Sequence, residues 1–92
     1  MLKIEDFKDF GTKEFLLAWK RFKEDGQDKE IDLSFCAQPY KDDVWYQIVI
    51  GDCLDDDFVE TERLNFNSLK KAIGWWNTYF EGKEEKNEKD SY

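Results

Sequence analysis

The run Val44-Trp45-Tyr46-Gln47-Ile48-Val49-Ile50 constrains this chain more than any other segment. All but one of its residues are β-branched or aromatic, the types that suit a pleated backbone. Both faces of such a strand are largely apolar, which places it in the centre of a sheet. The rest of the chain has to cover it. With 92 residues, there is material for about one domain and one core. Phe, Trp and Tyr make up 17% of the chain, and a few buried rings of this size carry a small core.

Period two also appears on either side of that run. Ile31, Leu33 and Phe35 alternate with Asp32, Ser34 and Cys36, a strand with one wet face. Pro39 ends it, and Lys41-Asp42-Asp43 form a polar turn. After Gly51 the Asp55-Asp56-Asp57 tip leads into a third strand, Phe58 to Leu64. Simple alternation sets Phe58, Glu60 and Glu62 on one side of it and Val59, Thr61 and Arg63 on the other. The short connections predict an antiparallel meander.

Period 3.6 is expected at both ends. Ile4, Phe7 and Phe10 predict a short helical turn. Phe15, Leu16, Trp19 and Phe22 recur at i, i+1, i+4 and i+7 behind a Thr12 cap, with Glu14 in the first turn and Gly26 as a stop. The reading is a helix over about Thr12 to Asp25. A final helix, capped by Asn65 or Asn67 and ending at Gly82, presents Phe66, Leu69, Ile73, Trp76 and Phe80. Trp75 falls at the edge of that face, beside Tyr79. The charged segment 83–92 reads as a disordered tail. The expected fold class is therefore α+β, a three-stranded antiparallel sheet flanked by an N-terminal and a C-terminal helix (α-β-β-β-α), in one domain over 1–82.

The composition argues against several chemistries. The chain has no histidine, which removes the Ser-His-Asp and Cys-His nucleophilic systems and the commonest metal ligand. Cys36 and Cys53 read as reduced thiols, pairing only if their strands bring them side by side. Asp52, Asp55, Asp56 and Asp57 are the best cation candidate, but their spacing lacks the alternating core and closing Glu of an EF-hand loop. Neither a cofactor nor an enzymatic activity is expected. The absence of a long apolar run or an apolar leader points to the cytoplasm.

Charge is unevenly distributed. The chain carries a net −8. From Glu24 to Glu62 thirteen acids face only Lys29 and Lys41, a local −11, while the remainder carries +3. Such a field attracts basic partners and repels nucleic acids and anionic membranes. In size, acidity and expected element order the chain resembles small anti-CRISPR and other phage-encoded inhibitors that imitate DNA charge, although no motif is shared and no site residue carries over.

Partner-binding candidates are thus Asp42, Asp43, Asp52, Asp55, Asp56, Asp57, Glu60 and Glu62 for charge, with Trp45 and Trp75 as interface anchors. The expected function is a small acidic binding protein, an inhibitor or modulator that occupies a basic nucleic-acid-binding surface of a partner protein. Two alternatives stand beside it. One is an immunity protein or antitoxin covering a basic toxin, and the other is a structural module self-associating through Trp45, Trp75 and Tyr79.

Overall fold

The computed structural model describes residues 1–91, with side chains through Glu81. Four strands precede one long helix: β1 (Lys13–Glu24), β2 (Gln27–Gln38), β3 (Asp43–Leu54), β4 (Asp57–Phe66) and α1 (Leu69–Ser91). Short 3-10 turns occupy Ile4–Phe7 and Pro39–Lys41. The strands form one antiparallel meander in the order β1-β2-β3-β4. The mixed α+β class and the antiparallel sheet agree with expectation. The element count does not: the architecture is β-β-β-β-α, with a fourth strand in place of the N-terminal helix.

The reason lies in one residue. In the β1–β2 register Leu16 faces Ser34 and Ala18 faces Leu33, so Leu17 is an extra residue, a β-bulge. Before the bulge Phe15 points toward the helix side. After it Ala18, Lys20 and Phe22 do, while Leu16, Trp19 and Arg21 point away. A period of two with one residue inserted mimics the i, i+4, i+7 spacing of a helix. Gly26 is likewise not a helix stop. Asp25 (φ 55) and Gly26 (φ 80) both have positive φ, which is the backbone of the two-residue type I′ turn that Asp-Gly favours between antiparallel strands.

A second bulge, at Thr61, changes β4. Ile50 faces Glu62, and Gly51 faces Glu60. Glu60 and Arg63 consequently share a face, contrary to simple alternation. The Thr61 hydroxyl donates to the Ile50 carbonyl at 3.2 Å. Gly51 is required here, since a Cβ at this position would collide with the Phe58 ring and the Val59 carbonyl.

Helix α1 covers one face of the sheet. Its N-cap is Ser68, not Asn65 or Asn67: Ser68 Oγ accepts from the Lys71 amide at 3.1 Å. The helix buries Ala72 and Phe80 and half-buries Trp75, Trp76 and Tyr79. The expected face is therefore rotated, leaving Leu69 and Ile73 exposed. Ala72 is small enough to let the backbone approach Ile31, Leu33, Ile48 and Ile50, the centre of the core. Trp75 packs near Phe66 of β4, and Phe80 meets Phe22 of β1 edge-on at 5.1 Å, so the helix crosses the sheet from β4 to β1. The tail expected over 83–92 lies outside the residues whose side chains are described. No helix among the described residues is long and apolar enough to cross a membrane.

Candidate functional site

Two surfaces result from this architecture. The first is one end of the sheet. In a meander the β1–β2 and β3–β4 turns lie at the same end, so the Asp25-Gly26 and Asp55-Asp56 turns are neighbours. Exposed Asp25, Asp28, Asp55, Asp56 and Asp57 gather there. Asp25 and Asp55 (φ 52) both adopt the left-handed conformation, which Asp tolerates better than most residues.

Asp52 does not join this cluster. Its Oδ1 lies 3.2 Å from Lys29 Nζ, which is also 3.8 Å from Glu24. The hydrogen bond to Asp52 raises the Lys29 pKa, with the charges of Asp52 and Glu24 adding to it and partial burial opposing it. Asp42 and Asp43 sit at the opposite end of the sheet, after the Pro39–Lys41 turn. Glu60 is engaged by Arg63, with Nη2 to Oε1 at 2.6 Å, and that bond holds its carboxyl below the usual range. Glu62 is exposed on β4, on the helix side of the sheet. The expected acidic surface is thus split four ways, between the two ends of the sheet, its open face (Glu60) and its helix side (Asp52, Glu62). Only the Asp55-Asp56-Asp57 part stands at the hairpin end, where Asp25 and Asp28 join it. Sequence reading overlooked those two because it placed Asp25 at the end of a helix; the Asp25-Gly26 pair was the available signal.

The second surface is the sheet face opposite α1, over which the described residues place no layer. Small residues of β2 line its floor, and Ser34 and Cys36 are buried. A chain of hydrogen bonds passes over them. Gln47 Nε2 donates to Glu14 Oε1 at 3.0 Å, and Arg63 Nη1 donates to Gln47 Oε1 at 2.9 Å. This ties β1, β3 and β4 together across β2. Beside it lies a shallow cavity of about 380 Å³ lined by Leu16, Trp19, Arg21, Glu30 and Asp32. Burial pushes the Asp32 carboxyl up to about 6, aided by a shared hydrogen bond with Glu30 and by the charges of Glu30 and Glu14. Arg21 Nε donates to Glu30 at 3.3 Å.

The two tryptophan candidates differ in role. Trp45 stands on the open face, opposite Cys36, and is half-buried. Trp75 stacks on Tyr79 at 5.1 Å and packs against the core, so its ring supports the helix. Trp19, expected on the apolar face of a helix, is instead 58% exposed on the open face of the sheet. Both cysteines are free, and burial raises the Cys36 thiol pKa, which suppresses its reactivity. Among the described residues no group of three or more His, Cys, Asp or Glu is disposed to hold a metal ion.

No family model, curated protein or solved structure matches this chain. Its surfaces are therefore the only guide to its role.

Proposed function

We propose that this chain is a binding protein rather than a catalyst, and that it presents the acidic hairpin end of its sheet to a basic partner protein. The partner surface is of the kind that otherwise holds a nucleic-acid backbone. One observation carries the reading: two adjacent turns and the strand ends beside them carry five exposed carboxylates at one end of the sheet. Neighbouring strands lie ~4.8 Å apart, a scale comparable with the charge spacing of a nucleic-acid backbone. Carboxylates held in place pay less ordering entropy on binding.

Capture from a lysate of the source cells, washed over a salt series, tests this. Wild type should retain a basic nucleic-acid-binding protein at low salt and release it as salt rises, since screening weakens exposed charge pairs. The Asp55→Asn/Asp56→Asn/Asp57→Asn variant should fold normally and lose that partner. A partner indifferent to both salt and the triple substitution removes the reading. A basic toxin in the bound fraction assigns the same surface to immunity instead.

A further inference from the structure

Strand β1 is an edge strand of 12 residues, and it is unusual in how much apolar surface it exposes. Phe15 is 60% exposed, and Leu16, Leu17 and Trp19 are each about half exposed. Long apolar edges recruit further strands unless something blocks them. No proline interrupts β1; its bases Lys20, Arg21 and Lys23 lie toward one end, and its acids, Glu14 and Glu24, stand near the two ends. We propose that β1 pairs antiparallel with β1 of a second copy, joining two sheets into one eight-stranded sheet with Trp19 at the two-fold axis.

The strand is complementary to its own reverse. With Leu17 set aside as the bulge, a two-fold axis at Trp19 places Lys13 opposite Glu24, Glu14 opposite Lys23, Phe15 opposite Phe22 and Leu16 opposite Arg21 of the second copy. Every pair lies on one face, because the bulge corrects the parity: Glu14, Leu16, Trp19, Arg21 and Lys23 are on the open face, the others on the helix side. Without the bulge this pairing would set half the partners on opposite faces. Symmetry doubles the two charge pairs to four.

The backbone agrees with this register. Glu24 and Gln27 flank the two-residue turn and face each other. By alternation Trp19, Arg21 and Lys23 turn their N–H and C=O away from β2. A pair of outward-facing residues at the axis, Trp19 with Trp19, exchanges two hydrogen bonds. Slipping the register by two residues one way sets Lys20 against Lys20. Slipping it the other way sets Lys23 and Glu24 against Thr12 and Gly11.

Packing supplies a further argument. Phe22 is already covered by Phe80 and Tyr79, while Phe15 has Phe35 as its ring neighbour among the described residues, centroids 6.4 Å apart. The two-fold axis places each exposed Phe15 beside the covered Phe22 of the other copy. The existing pair of Lys23 is loose, 3.7 Å from Asp28 with both groups largely exposed, and Glu14 Oε1 already accepts from Gln47 at 3.0 Å, which fixes that carboxylate in place. Lys23 can re-pair at little cost.

Sedimentation velocity over a wide concentration range tests the inference. Wild type should pass from the 11.1 kDa chain to a species of twice that mass and stop there. Glu14→Lys places lysine against Lys23, and Lys23→Glu places glutamate against Glu14. Each alone should weaken the dimer roughly tenfold, two exposed pairs being reversed. Mixing the two variants should restore it, since every reversed charge then meets its opposite, and a folding defect would not be repaired by mixing. Three results overturn the proposal: a monomer at all concentrations, a dimer insensitive to both substitutions, or mass that grows without limit through β1-to-β4 pairing.

Discussion

Asp32 illustrates what a register does to a side chain. It lies on the open face with Glu30 two residues along its own strand and Glu14 contributed by β1, and partial burial adds to their repulsion. The folded chain therefore binds a proton at Asp32 more tightly than the unfolded chain, whose carboxyl titrates near the ordinary aspartate value of 3.8. The sign follows from linkage: stability from this group falls as pH rises from about 4 to about 6 and is flat above. Asp32→Asn should flatten that slope and stabilise the protein at pH 7 by about 1 kcal/mol, after allowance for solvent screening. Urea melts of both proteins at pH 4.5 and pH 7 would show it; equal slopes would remove Asp32 as the source. None of this was legible in the sequence, because the burial of Asp32 and the approach of the Glu14 charge both follow from the β1–β2 pairing. The acidic reading of Asp55, Asp56 and Asp57 was legible, since a turn tip keeps its charges exposed whatever the strands around it do.

Element by element, legibility depends on how regular the pattern is. The strands now labelled β2 and β3 alternate, or run apolar, without interruption, and the sequence locates both, though each is longer than the pattern alone marks out. The helix α1 is found for the same reason, yet its rotation is not: the large apolar residues alone define a face through Leu69 and Ile73, whereas the small Ala72 is what lets the helix sit close to the sheet. Strand β1 fails because Leu17 breaks its alternation and the apolar spacing that remains fits 3.6 better than 2. The Asp25-Gly26 turn outweighs that spacing once both are considered. Gly26→Ala makes the test specific, because at φ 80 an alanine is strained in the folded turn. The loss should be about 1 kcal/mol by thermal or urea melting. A stability gain would contradict the left-handed backbone that the turn requires at this position.

The molecule as a whole has a core on only one side of its sheet. Its radius of gyration is 16.7 Å, whereas a compact chain of this length has about 12 Å. An open sheet of this kind gains little from burial on its bare face, so a few contacts between α1 and the sheet hold most of the stability. Phe80 is the most exposed to this logic. It is 3% accessible, meets Phe22, Trp76 and Tyr79 ring to ring, and has Lys20 Nζ 4.4 Å above its ring. It also pins the helix to β1, the strand farthest from where the helix begins. Removing it should cost ~3–5 kcal/mol, the range for deleting a buried aromatic ring, against a total stability of only ~5 kcal/mol at the low end for small domains. Phe80→Ala should therefore be largely unfolded or melt at least ~15 °C lower, while Ile73→Ala, one turn from the core on the exposed side of the same helix, should lose under ~1 kcal/mol. Comparable melting curves for the two variants would mean that the sheet stands without Phe80 holding the helix to β1.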